Sequence, residues 1–441
     1  MKHKSWKLVL AYTCLSTVLA ACGSGSEGAA GSGKASQEAA NQPAKQEELK
    51  PVTIRLFPNQ QVTDADFKKL IADPVKKKYP HITVEMVAKD SAKWLPDYVA
   101  SGEIMDLVTI WNGTLPSYED LGLYEDITPL AKKFNLDLSR FDQGALDTIR
   151  EVAPNKELYA LPYGVQINAL YYNKDIFDKF GVPYPKDGMT WDDAMELSKK
   201  LTREENGIAY RGLDPESLTR MLFPMSLNVV DNKTQKSSVN TEPYKRVFDV
   251  TNRIYSLPGN KPKTLTQNAA DVFIKEKNVA MLATVNMFDK LRTDPGFQWD
   301  VAQYPSYSER PNTFGMFDLH TIFITKTSKH KDDAMRVLEV LFSDEVQMIS
   351  TKETGRVSPL KDPKFNQAFG ADMPHLKGKS LQSIFKSKPA QSPPFSMFYT
   401  KGIALLRNSF AEVADGKKDV NTALREADEK INQMIETDKK K

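Results

Sequence analysis

VTIRLFPNQQVTDADFKKLIADPVKKKYPHITVEMV, residues 52–87, decides the fold. VTIRLF alternates apolar and polar side chains in the two-residue period of a strand. Phe67, Leu70 and Ile71 then recur at the three-to-four-residue spacing of one helical face, and HITVEMV returns to the strand period. A short helix near Trp94 to Ala100 and the apolar strand MDLVTI, residues 105–110, continue the series. Strand, helix, strand, helix, strand predicts a parallel sheet with right-handed crossovers. In such sheets ligands bind beyond the carboxyl ends of the strands, near the point where strand order reverses. That rule singles out Asn59 and Gln60 after the first strand, and Trp111, Asn112 and Thr114 after the third.

A second α/β region starts after LYALPYGVQINALYYNKDIF, residues 158–177. In TWDDAMELSKKL, residues 190–201, Thr190 and Asp193 fill the two places of a capping box, and Ala194, Leu197 and Leu201 share the inward face. NVVDNKTQKSSVN reads as a hairpin around Asn232 and Lys233. DVFIKEKNVAMLATVN gives a helix end and a buried strand closing at Asn286. DLHTIFIT is a further strand, DDAMRVLEVLF an amphipathic helix, and Ala423, Leu424, Ala427, Ile431 and Met434 form the stripe of a last helix. No repeat of 20 to 50 residues is present.

Both cysteines, Cys14 and Cys22, fall at the N-terminus. Lys2, Lys4 and Lys7 precede LVLAYTCLSTVLAA, an apolar run with the charge order and length of a signal peptide, too short to span a bilayer. Leu19, Ala20, Ala21 and Cys22 resemble the lipobox of bacterial lipoproteins, which implies removal of residues 1–21 and a diacylglyceryl group on the Cys22 sulfur. Two acyl chains supply the double signal that stable attachment needs, at about 0.8 kcal/mol per buried methylene. The folded part then has no thiol for a disulfide, and about 390 residues bury enough apolar surface without one.

Residues 22–50 are rich in Gly, Ser, Ala and Gln and read as a flexible tether with a reach of roughly 30 Å. GAAGSGKA within it satisfies GxxxxGK but lacks the following Ser or Thr and any preceding strand, so it is no nucleotide site. Losing the three signal lysines takes the formal charge of +3 to about zero, which argues against a nucleic-acid surface.

DLVTIWNGTLPSYEDLGLYEDITPL, LYALPYGVQINALYYNKDIFDKFGVPYP and MTWDDAMELSKKL, in that order, resemble family 1 of the extracellular solute-binding proteins of ABC importers. Sugar-binding lipoproteins of Gram-positive bacteria and maltose-binding proteins show the same order of segments. KEKNVAMLAT, KTSKHKDDAMRVLEVLFSDEVQ and SMFYTKGIALLRN extend the resemblance, which runs from about residue 50 to about 435. It implies an α/β fold of the type II periplasmic binding protein class, two α/β lobes joined by a multi-strand hinge. By analogy lobe 1 takes residues 51–164 and 304–343 and lobe 2 residues 165–303 and 344–441. The crossovers fall near Tyr163 to Asn168, Val301 to Pro305 and Phe342 to Ile349. The implied partners are a carbohydrate ligand, the permease subunits of the importer, and the membrane through the N-terminal lipid; a monomer on the extracellular face is expected.

A pyranose offers an apolar face of C–H bonds and a rim of hydroxyls, which aromatic rings and Asn, Gln, Asp or Arg respectively match. Asn59, Gln60, Asn112 and Asn286 suit the rim. Trp111, Tyr163, Phe317, Phe398 and Tyr399 suit the face, although each aromatic also suits a core position. Gln166 and Asn168 sit at the expected hinge, and His320 reads as a hydrogen-bonded structural histidine.

The main rival is a tethered polysaccharide hydrolase, which needs two carboxylates about 5 to 9.5 Å apart across the scissile bond. Asp192 with Asp193, and Glu204 with Glu205, are sequence neighbours that point different ways. HExxH, GxSxG and CxxC are absent, the five histidines lack metal-ligand spacing, and DNKTQKSSVNTE fails the calcium-loop pattern at Lys233. The expectation is a binding protein without cofactor or metal; a sensory lipoprotein of the same fold remains open.

Overall fold

The computed structural model describes residues 50–440 except 60, 61, 89, 91, 92, 266 and 267. The signal peptide, the tether with Cys22, and Gln60 lie outside the described residues. The strands are β1 (Val52–Pro58), β2 (Ile82–Met86), β3 (Leu107–Trp111), β4 (Leu161–Val165), β5 (Asn168–Asn173), β6 (Arg203–Glu205) and β7 (Ile208–Asp214). They continue with β8 (Val230–Asp231), β9 (Lys236–Ser237), β10 (Val279–Val285), β11 (Trp299–Ala302), β12 (Thr313–Met316), β13 (Leu319–Ile324) and β14 (Lys388–Ala390).

Two five-stranded sheets carry the fold, in the orders β2-β1-β3-β13-β4 and β11-β5-β10-β7-β6. β2 and β3 both run parallel to β1, as the opening stretch predicts. The sheet is mixed rather than all-parallel, because β13 lies antiparallel to β3 and to β4. β13 is entered from the edge at which β1 and β3 end, so it has to run the other way. In the second sheet β10 runs parallel to β7 and antiparallel to β5.

The local chemistry accounts for the helices. Residues 64–78 are helical behind the Thr63 cap, with one widened turn at Lys68–Ala72 in which the Asp73 N–H reaches back to the Lys68 carbonyl. The proline at 74, which cannot donate a backbone bond, follows that turn. Helix Trp191–Leu201 has the expected capping box: Thr190 accepts from the Asp193 N–H, and Asp193 accepts from the Thr190 N–H at 2.8 Å. The expected hairpin forms as β8 paired with β9.

Each sheet has its own core, and following the buried side chains shows where the chain changes sides. Leu161 and Tyr163 belong to the first core and Ile167 and Ala169 to the second, so the buried side chains first change core between Tyr163 and Ile167. The second crossing comes later than Val301 to Pro305. Tyr304, Tyr307, Phe314 and Met316 all pack in the second core, and Phe317 and Leu319 are the first to return. The third is drawn out beyond Phe342 to Ile349: Val346 is in the first core, Val357 reaches the second, Leu360 and Phe365 return to the first, and Phe369 opens the final run in the second. In both places the large side chains, which the analogy did not weigh, decide the side.

The crossing segments are bonded to one another: Val165 N–H donates to Val357 O at 3.0 Å and Gln166 N–H to Asp318 O at 2.8 Å. On the edge away from β10, the end of β7 is fixed by a side chain instead of a strand. β6 pairs only as far as Tyr210, and beyond it the buried Asn260 donates to Leu213 O at 2.8 Å and accepts from Leu213 N at 3.1 Å. Satisfying both buried backbone groups this way aims the following residues, Pro215 to Ser217, at the space between the sheets.

A candidate ligand-binding cleft

Strand ends from both sheets meet at one place. The carboxyl ends of β3, β4, β7 and β10 deliver Trp111, Gln166, Glu216 and Asn286, the amino end of β13 delivers Asp318 and His320, and helix Tyr399–Ala414 adds Tyr399 and Arg407. The central cavity, about 390 Å³, is lined by these two helical residues with Trp111, Gln166, Glu216, Ser217, Thr219, Arg220, Phe223, Asp318 and His320 among others. A neighbouring cavity of about 600 Å³ shares Glu216, Ser217, Val285 and Arg407 with it and continues along Asn268, Thr284, Asn286, Lys290 and Asn408. A third, about 130 Å³, adjoins at Gln166 and His320 and is lined by Asn286, Asp289, Thr354 and Arg356. The first two volumes fall in the roughly 300–1,000 Å³ range of small-molecule sites.

Trp111 is held by its surroundings. Its ring lies over Gly113, where a Cβ would come within 2.3 Å of it, so only glycine lets the ring lie there. Its Nε1–H donates to Asp318 Oδ1 at 2.8 Å. Its ring meets Phe395 and Tyr399 at centroid distances of 5.3 and 5.8 Å, in the tilted geometry aromatic pairs favour. Thr114 donates to the Trp111 carbonyl at 2.9 Å and closes the turn behind it.

Asp318 is the junction. Its other oxygen accepts from Arg220 Nη1 at 2.9 Å, and Arg220 Nε lies 3.5 Å from Glu216. Arg220 follows Leu218 into the second core, whereas Asp318 precedes Leu319 in the first. The pair therefore bridges the two halves. Glu216 has a left-handed backbone, φ 64°, a conformation costing a non-glycine residue about 1–2 kcal/mol. The strained turn is braced by its N–H donating to Asp214 Oδ1 at 2.9 Å, and its carboxylate accepts from the Thr284 hydroxyl and from the Val285 N–H. Strain held in place at a cavity wall is the mark of a positioned group.

A model of the bacterial extracellular solute-binding protein family matches residues 58–348. The chain belongs to that family. Among its relatives is the "Multiple sugar-binding protein" of Streptococcus mutans, 26% identical over 175 residues, 39% of this chain. The match spans 39% of that relative's own length. The ABC substrate-binding protein of Listeria monocytogenes in complex with cycloalternan has a TM-score of 0.71 at 19% identity, over 88% of this chain and 99% of that one. The sugar-binding protein MalE of Xanthomonas citri has a TM-score of 0.70 at 19% identity, over 88% and 98%. The solute-binding protein thus has the type II periplasmic binding protein fold of two α/β lobes.

Of the residues singled out by sequence, Trp111, Gln166 and Tyr399 line the central cavity and Asn286 the other two. Others are used inside the protein. Asn112 donates to Phe317 O and accepts from Leu319 N, Asn168 donates to Phe314 O, and both are buried. Phe317 packs in the first core against Gly144, and Phe398 is buried in the second. Tyr163 lies behind His320, its ring 5.9 Å from the imidazole, and Asn59 sits beside Tyr118. None of these six borders the three cavities, nor does Thr114. The hydrolase candidates are also elsewhere: Asp192 pairs with Arg253, Asp193 caps its helix, and Glu205 pairs with Lys179.

Glu216, Ser217, Arg220, Asp318 and Arg407 were missed. The signal for the first three was the strand IAYRGLD, whose carboxyl end obeys the rule that selected Trp111.

His320 gives the cleft a pH dependence. Burial, outweighing the nearby Asp318 carboxylate, and Arg356 together push its pKa down to about 4, and Gln166 Nε2 lies 2.7 Å from its Nε2. The folded state keeps the ring neutral while the unfolded chain binds a proton below about 6.5. Stability is therefore full above pH 6.5 and falls as the pH drops towards 4, by up to about 3 kcal/mol for this group. In H320Q, urea denaturation at pH 7.5 and pH 5 should show a smaller loss than in the wild type; equal losses would exclude His320 as the source.

Proposed function

We propose that this solute-binding protein captures a carbohydrate of more than one sugar unit in the cleft and passes it, chemically unchanged, to the permease of an ABC importer. It does so from the extracellular face of the membrane, tethered through a lipidated Cys22. The observation that carries the reading is the cleft itself: the aromatic faces of Trp111 and Tyr399 stand beside hydroxyl-matching side chains from both sheets, in adjoining cavities of about 390 and 600 Å³. Rings for the apolar face and polar groups for the rim are the two surfaces a pyranose requires. The sugar-binding relatives support the same ligand class.

On this reading lobe 1 comprises residues 51–164 and 317–365, with Val357 reaching across to the second core, and lobe 2 residues 165–316 and 369–441. Ligand favours closure because contacts from both lobes form together only then, and the permease reads the closed form. Gln166, Glu216, Thr219 and Asn286 meet the hydroxyls, and Trp111 and Tyr399 the ring face.

The test is a thermal-shift screen of the purified protein against mono- and oligosaccharides, with the same mixtures assayed for new reducing ends. Ligand at a hundredfold excess over its dissociation constant stabilises by about 2.7 kcal/mol. A shift without new reducing ends upholds the reading; accumulating product replaces it with the hydrolase, and no shift with any saccharide removes it.

A further inference from the structure

Most of the charged side chains lining the cleft are held in ion pairs. Arg220 is matched by Asp318 and Glu216, Lys290 by Asp271 at 3.6 Å, Asp289 by Arg292 at 2.8 Å, and Arg356 by Asp66 at 2.8 Å. The lowered pKa of His320 leaves it neutral. Arg407 stands apart. It lies in the wall shared by the two larger cavities, and its Nε donates to the neutral Thr219 hydroxyl at 3.0 Å. Among the described residues it makes no ion pair.

A guanidinium presents a planar fork of donors that fits a carboxylate with two parallel bonds, at about twice the strength of neutral hydrogen bonds. Among the described residues lining the three cavities it is the one lysine or arginine without an ion pair, so its fork is the one left for an entering anion. The geometry points to an acidic saccharide, one whose units carry uronate carboxylates, with Arg407 holding a carboxylate where the two larger cavities meet. Thr219 orients the fork from one side, leaving the terminal nitrogens for the ligand. This rests on the carbohydrate reading and narrows it.

The experiment is calorimetry of the purified protein with uronate trisaccharides (galacturonate, glucuronate and mannuronate) and with the carboxyl-reduced neutral form of each, at low and high salt. At least one uronate should bind about tenfold or more tightly than its reduced form, equivalent to one charge-assisted bond, and salt should shrink the margin. R407Q should bring the ratio for that pair close to one, and R407K, which keeps the charge but not the fork, should leave an intermediate ratio. Neutral forms binding as tightly as the uronates, or R407Q leaving the ratio intact, would overturn the inference while sparing the carbohydrate reading. Binding of neither series, nor of any saccharide in the wider screen, would remove both.

Discussion

W111A is expected to bind saccharide roughly ten- to a hundredfold more weakly than the wild type, about 1.4–2.7 kcal/mol, the scale of an aromatic anchor in a binding site. The alanine removes the flat face presented to the central cavity and with it the ring contacts to Phe395 and Tyr399. It also takes the indole donor from Asp318. Both sheets keep their buried layers, so the far-UV spectrum should be unchanged and the ligand-free melting temperature lowered by only a few degrees. W111F separates the two roles, since it restores a ring but not the donor, and its affinity should fall between. Calorimetry with the tightest saccharide from the screen decides; an affinity equal to the wild type's would exclude Trp111 from the site.

R220M should open the ligand-free protein. The Asp318 side chain is 11% exposed and that of Arg220 18%, which places the pair far from the solvent-screened ion pairs of the surface. Removing one partner of a buried pair costs about 3–5 kcal/mol when the remaining charge cannot reach water. Here it can, because its partner is carried by the other half of the molecule. Parting the halves rehydrates Asp318, so most of the cost should appear as opening and less as unfolding. Small-angle scattering of ligand-free R220M should give a larger radius of gyration than the wild type, and R220M/D318N, which removes the charge stranded on the opposite half, should return towards it. Superimposable scattering curves together with an unchanged urea midpoint would show that the pair holds nothing together.

Much of the architecture was legible because it is written in local periodicity. The strands and helices around residues 52–111, the capping box at Thr190 and Asp193, and the hairpin at Asp231 form where their patterns place them. Direction was not legible, since nothing within DLHTIFIT tells that β13 is approached from the cleft side and must run against β3. The later two changes of core come further along the chain than expected for a related reason. Tyr304, Tyr307, Phe314 and Met316 look alike whichever core they enter, and the choice depends on residues far away in sequence. In the cleft the strand-end rule located the right edge but not the side-chain orientations. Trp111 turns outward over Gly113, whereas the next residue, Asn112, turns inward and bonds the backbone on both sides of Asp318. The amide was needed there, because those buried backbone groups had no strand partner to satisfy them.

The bonds between the crossing segments bear on how the protein can move. One polypeptide joining two bodies would act as a ball joint, free to swing and swivel in any direction. Here the strip at Val165 and Gln166 is laced to Asp318 on one side and to Val357 on the other. Joined edge to edge, these strips form the knuckles of a door hinge: they bend readily about one axis and resist swivel and slide. A returning closure therefore brings Trp111 back to the same neighbours each time, and the guest is met by a mouth with a single path shut.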